Sequence, residues 1–127
     1  MTRWILSTGL IKPLSLNDRM HWAQKARITR QVRSTVAWNA TSLVMGRHDH
    51  VHVQLVYTPR DNRRRDTDNL WATAKPAVDG LVDAGIVPDD TARFVTRHEP
   101  RITDKNPGVV ECRLWLWVWT GDPGGDP

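Results

Sequence analysis

Two short acidic stretches are the part of this sequence best suited to chemistry. Asp66 and Asp68 stand two positions apart in a charged segment, and Asp89 and Asp90 are adjacent further along. In an extended chain the D-x-D spacing puts both carboxylates on one side. A helix between the two pairs, closed by a turn at Gly85, can return the second pair toward the first. Converging carboxylates repel unless a cation lies between them. An all-oxygen donor set of that kind suits Mg2+, which leaves room for water and a substrate phosphate. The same residues have a plainer use, with Asp66 and Asp68 as helix N-terminal charges and Asp89-Asp90 as turn formers. Spacing alone leaves both readings open.

Arg60, Arg63, Arg64 and Arg65 immediately precede the D-x-D pair. Their guanidiniums can neutralise the carboxylates, or hold phosphates that flank a bound metal. A basic loop beside metal-binding carboxylates is what phosphodiester cleavage needs: one side neutralises the backbone, the other activates water. Two other groupings are weaker. His48, His50 and His52 invite a zinc site, but with no distant partner evident an exposed strand face is the favoured reading. Trp115, Trp117 and Trp119 can stack on bases, yet packing under a helix or at a dimer interface is favoured. No glycine-rich phosphate loop of the Walker type occurs.

These residues must be positioned by regular elements. Trp4 to Ile11 reads as a first strand. His21 to Val44 has helical periodicity, with Ile28, Val32, Val36, Ala40 and Leu43 on one face, Arg27, Arg30 and Arg33 on a polar side, and Gly46 as a stop. His50 to Thr58 alternates as a strand, and Leu70 to Val82 is helical with Leu70, Ala74, Ala77 or Val78, and Leu81 on one side. Gly85 sits where a helix C-terminus wants it. Arg93 to Glu99 and Val109 to Trp119 complete the strands. In the last one Leu114, Leu116 and Val118 face one way and the tryptophans the other, so it must be covered on both sides. The expected architecture is α/β (α+β), a single domain over residues 1–120 with a mixed sheet and two main helices. Residues 121–127 (GDPGGDP) read as a disordered tail.

Composition narrows the class. The chain has 127 residues, one ordinary domain, and a net charge of +4. Asp122 and Asp126 of the tail offset two positive charges, so the body is more basic than the total. That basic balance fits either a solvated surface or an acidic partner such as nucleic acid. The single cysteine, Cys112, excludes an internal disulfide and reads as a buried thiol, in keeping with a reducing cytoplasm. The longest strongly apolar run, Leu114 to Trp119, falls far short of the ~20 residues that span a bilayer.

The stretch Arg64 to Asp90, RRDTDNLWATAKPAVDGLVDAGIVPDD, resembles the signature of RusA-type Holliday junction resolvases: arginines, D-x-D-N-L, a lysine, an aspartate one turn later, then A-G and a closing D-D. Leu16 to Trp22 (LNDRMHW) resembles the family's first loop, with Asn17 and Arg19 as its Asn and Arg. The resemblance implies a two-fold homodimer, an Mg2+-dependent endonuclease (Mn2+ as a substitute) that resolves four-way DNA junctions by paired symmetric nicks in recombination and repair. It implies that Asp66, Asp68 and Asp90 bind metal with Asp89 as a weaker neighbour. Lys75 would be the catalytic lysine, and Asn69 and Asp79 supporting residues. Family members are often carried by phages and prophages. Arg27, Arg30, Arg33, Arg60, Arg63, Arg64, Arg65, Asn17 and Arg19 would contact DNA. The rival readings are a nuclease of the same fold for other branched or flap DNA, and a catalytically silent junction binder.

One departure bears on Lys75. This chain holds about three more residues within Trp71 to Ala74 than the best-known form of the family. Inserted into a continuous helix, three residues would rotate Lys75 by roughly 300°. The expectation is that Thr73 caps the helix and Pro76 falls in its first turn, which keeps Lys75 near the carboxylates.

Overall fold

The computed structural model describes residues 2–10, 22–59, 70–104 and 113–121. In chain order they form β1 (Arg3–Ser7), α1 (Trp22–Ser42), β2 (Val51–Tyr57), α2 (Trp71–Asp83), β3 (Val95–Arg97), β4 (Arg101–Ile102) and β5 (Leu114–Trp119). Cys112 and residues 122–127 lie outside the described residues.

The strands make one five-stranded mixed sheet in the order β1-β5-β2-β3, with β4 also paired to β2. β5 runs antiparallel to both β1 and β2, while β3 and β4 run parallel to β2. β3 and β4 follow one another along the same edge of β2, separated at Pro100, which has no N–H to give to the ladder. Only the short β3 within the expected Arg93 to Glu99 is strand.

Register assigns the faces. Leu6, Leu116 and Leu55 align across β1, β5 and β2, and Leu114 opposes Tyr57. This face packs with Val32, Val36 and Ala40 of α1 and Ala74, Ala77, Val78 and Leu81 of α2 in one core. Leu6, Leu55, Leu114 and Leu116 are essentially fully buried. Each such side chain removed from water stabilises the fold by about 1.5–3 kcal/mol. The two helices cover this face. Ile5, Trp117 and Gln54 align on the opposite face, as do Trp119 and His52.

The four-residue spacing of Val32, Val36 and Ala40 makes the buried stripe of α1. Leu43, expected on that stripe, lies beyond the helix and is exposed. The helix does not stop at Gly46. Met45 N–H bonds to the Ala40 carbonyl and Val44 N–H to Thr41, with Val44 itself at φ 51. A β-branched residue thus holds the left-handed position that glycine usually takes. At the end of α2 the expected device is present: Gly85 at φ 76 bonds to Val82, and Ile86 bonds back to Leu81. The helices meet closely at Gly80, where an added Cβ would lie 2.5 Å from the Arg33 carbonyl oxygen and 2.9 Å from Val36 Cβ. Arg33 then grips Asp83 with both Nε (2.5 Å) and Nη2 (2.7 Å), tying α1 to α2.

The start of α2 corrects the capping expectation. The helix begins at Trp71 with Leu70 as N-cap, no side chain caps it, and Pro76 lies inside it. Thr73 is fully buried within the helix rather than at its entrance. Burial of Ala74, Ala77, Val78 and Leu81 extends the apolar stripe through Thr73, so packing sets the helix start and overrides the preference of proline for a first turn.

Candidate active site

Lys75 is the centre of the charged cluster at the entry end of α2. Its Nζ donates to Asp90 Oδ2 at 3.1 Å and to Asp79 Oδ1 at 3.3 Å. Asp79 stands four residues on, one turn along the same face. Asp90 arrives by a different route: the Gly85 turn ends α2 and the chain doubles back until Asp90 meets the second turn of the helix. Asp89 Oδ1 accepts the Asp90 backbone N–H at 2.8 Å, which stiffens this return. A second cation approaches from the sheet, with Arg97 Nη2 3.8 Å from Asp90 Oδ2.

The electrostatics follow from these contacts. Hydrogen bonds from Lys75, then its charge, hold the Asp90 carboxyl below the usual carboxylate range. The hydrogen bonds to Asp90 and Asp79 raise the Lys75 ammonium in turn, against a small cost of burial. Lys75 keeps 66% of its side chain exposed and Asp90 30%, so the pair is open to solvent. This is a surface cluster in which the Asp79 and Asp90 carboxylates are engaged by two cations, Lys75 and Arg97.

The expected residues divide accordingly. Lys75, Asp79, Asp89 and Asp90 come together, although the helix runs continuously through Trp71 to Ala74. Asp66, Asp68, Asn69, Arg60, Arg63, Arg64, Arg65, Asn17 and Arg19 lie outside the described residues. Arg27 and Arg30 are exposed on α1, while the Arg33 guanidinium is engaged by Asp83. That contact raises Arg33 and lowers Asp83 from their ordinary values. Among the described residues no three His, Cys, Asp or Glu side chains form a group that could hold a metal ion. Arg97 was not anticipated. Its strand parity with Val95 was legible, but its approach to Asp90 is a tertiary contact between β3 and the turn after α2.

The histidines also differ from expectation. They do not share an exposed strand face. His52 is fully buried on β2, with Nδ1 3.0 Å from His98 Nε2 and Nε2 3.2 Å from the Gly121 carbonyl. A carbonyl only accepts, so His52 donates from Nε2 and its Nδ1 accepts from His98. His50 bonds to Thr96 Oγ1 at 2.7 Å, and His48 contacts the Met45 carbonyl at 2.8 Å. The partner of His52 is His98, forty-six positions away in sequence, brought alongside by the parallel pairing of β2 and β3. Trp119 stacks on His52 with ring centroids 5.5 Å apart and planes 10° apart. It is thus covered by histidines instead of a helix. Trp117 lies half-buried under the Arg3 guanidinium at 5.0 Å.

No family model matches the chain. An uncharacterized protein of Xylella fastidiosa (strain Temecula1) is similar to it, 35% identical over 103 residues. That similarity covers 74% of this chain and 62% of the relative, so the chain spans less than two thirds of the relative's length. No described helix is long and apolar enough to cross a membrane.

Proposed function

We propose that this protein is an Mg2+-dependent, structure-specific DNA endonuclease that resolves four-way junctions, as the RusA-type resolvases do. The observation that carries the reading is the 3.1 Å contact between Lys75 and Asp90. It joins the closing D-D of the motif to the lysine, at the end of α2 that the chain enters from the segment bearing Asp66 and Asp68. Clustered carboxylates in a basic protein bring no benefit to a mere binder of polyanions, which favours catalysis over a silent junction binder.

The donor chemistry fits a divalent ion: Asp90 is an ionised, partly exposed oxygen ligand, and the other candidates are carboxylates. Asp66, Asp68 and Asp90 would hold the metal, which when bound supplies positive charge and an acidified water. Lys75, released from Asp90, faces the scissile phosphate as a compact cation and offsets charge that grows in the transition state. Arg97 retains Asp90 in position. The arginines Arg60, Arg63, Arg64 and Arg65 hold flanking phosphates. Paired nicks require two such sites related by a two-fold axis, so the active species is a homodimer.

The test is cleavage of a synthetic mobile four-way junction by purified protein, with and without Mg2+. Wild type should nick opposing strands only with the metal and sediment as a dimer at micromolar concentration. Asp68→Asn should abolish cleavage and leave junction affinity equal or higher. Normal cleavage by that variant would overturn the metal assignment. Cutting of flaps in preference to four-way junctions would move the substrate to other branched DNA.

A further inference from the structure

The outward side of α1 carries features that the proposed active site does not use. The helix has Lys25, Arg27, Arg30 and Arg33 and no acidic residue along its 21 positions. Arg33 is spent on Asp83. Arg27, Arg30, Gln31, Ser34, Trp38 and Thr41 are all exposed, and at 100° per residue they fall within one arc of about 100°. Trp38 is 70% exposed. Along the axis it stands about 16 Å from Arg27, at a rise of 1.5 Å per residue.

We propose that this arc is a DNA-docking face on which Arg27 and Arg30 take backbone phosphates and the Trp38 indole stacks on a base left unpaired at the branch point. The inference rests on the nuclease reading and adds to it the part of the substrate that the helix would grip. Charge selects the partner: Arg27 and Arg30, with no ion-pair partner among the described residues and no carboxylate on the arc, complement a polyanion. The surroundings of Trp38 select the contact. Ser34 and Thr41 flank it on the arc, so it is the one aromatic plane among the polar residues of that face; the exposed Leu43 and Val44 lie beyond the helix end. Insertion into a membrane would need the apolar stripe of the helix, and Val32, Val36 and Ala40 are buried in the core. A flat indole on the same helix face as guanidiniums is an arrangement that can hold the backbone at one point and an unpaired base at another, since every base offers a π-face.

The experiment measures equilibrium binding to a labelled four-way junction and to a linear duplex of the same sequence, in EDTA, across a range of salt. The proteins compared are wild type, Trp38→Ala, Trp38→Phe and Arg27→Ala/Arg30→Ala, each checked for native circular dichroism. Trp38→Ala should weaken junction binding about tenfold and change duplex binding less than about twofold. Trp38→Phe, which keeps a ring, should recover most of the loss. The double arginine variant should weaken both substrates and flatten the log–log salt dependence by about 0.9 per lost contact. Equal junction affinity for Trp38→Ala and wild type overturns the stacking role and leaves the nuclease reading standing. Equal loss on junction and duplex overturns it too, because the duplex offers no unpaired base. If wild type binds junctions no better than duplex, the resolvase reading and this inference fall together.

Discussion

Lys75 and Asp90 show how a pair of side chains can be fixed in their charged forms without being buried. Each is held in its charged form by the other, and Asp79 and Arg97 complete an alternating cluster. If Lys75 faces the scissile phosphate, its charge matters to the chemical step and little to binding. Lys75→Met keeps the apolar stem and removes the cation. Single-turnover junction cleavage should fall by about 10²-fold, with junction affinity nearly unchanged. Lys75→Arg should rescue poorly, since a planar fork does not replace a point charge on a flexible stem. Normal cleavage by Lys75→Met would exclude the lysine and leave an arginine to supply the charge. The residue types and spacing of this cluster were legible in the sequence. The expectation that Lys75 needed a later helix start was not met, because burial of Thr73 and Ala74 draws the helix back to Trp71 and the lysine still reaches Asp90.

At the scale of elements, the two helix ends are closed by the same pattern of backbone bonds with different residues in the left-handed position. Gly85 adopts its φ of 76 without a steric cost, whereas Val44 at φ 51 brings a branched Cβ against the following carbonyl. Gly46, legible as a stop signal, falls two positions late because Ala40 is the last core residue of the stripe and Met45 must turn inward to be buried. Val44 is exposed and contributes no core packing. Val44→Gly should therefore stabilise the protein by about 1 kcal/mol, read as a higher urea midpoint with an unchanged slope. A lower midpoint would show that the valine side chain makes a stabilising contact. The polar side of α1 was legible as a row of arginines, yet the same row divides in space: Arg33 turns to Asp83 while Arg27 and Arg30 face outward.

For the whole molecule, the histidine network links strands distant in sequence and makes stability depend on pH. Burial, then the neighbouring His52, lowers both His50 and His98 from their ordinary value near 6.5. The unfolded chain therefore binds more protons than the folded one as pH drops through this range. The stabilisation is complete above about pH 6.5 and is lost as pH falls below it through the folded-state values. Asp83 and Asp90, also lowered, withdraw their contributions only below about pH 4. Urea midpoints should thus decline already between pH 7.5 and pH 5. In His50→Gln/His98→Gln that decline should flatten, with the loss at lower pH retained. An equal slope in wild type and variant would place the sensitivity elsewhere.

What the sequence determined by itself was local. Periods of two and near four marked the principal strands and both helices, the acidic spacing singled out Asp66, Asp68, Asp89 and Asp90, and the resemblance to the RusA-type motif added Lys75 and Asp79. Tertiary structure decided which of these residues meet. Asp90 reaches Lys75 because a glycine turn reverses the chain, Arg97 reaches Asp90 from a neighbouring element, and His52 meets His98 through parallel pairing. The reason is physical: hydrophobic periodicity encodes which face of an element leaves water. Strand order and register, set by how those faces pack together, determine which polar side chains become neighbours.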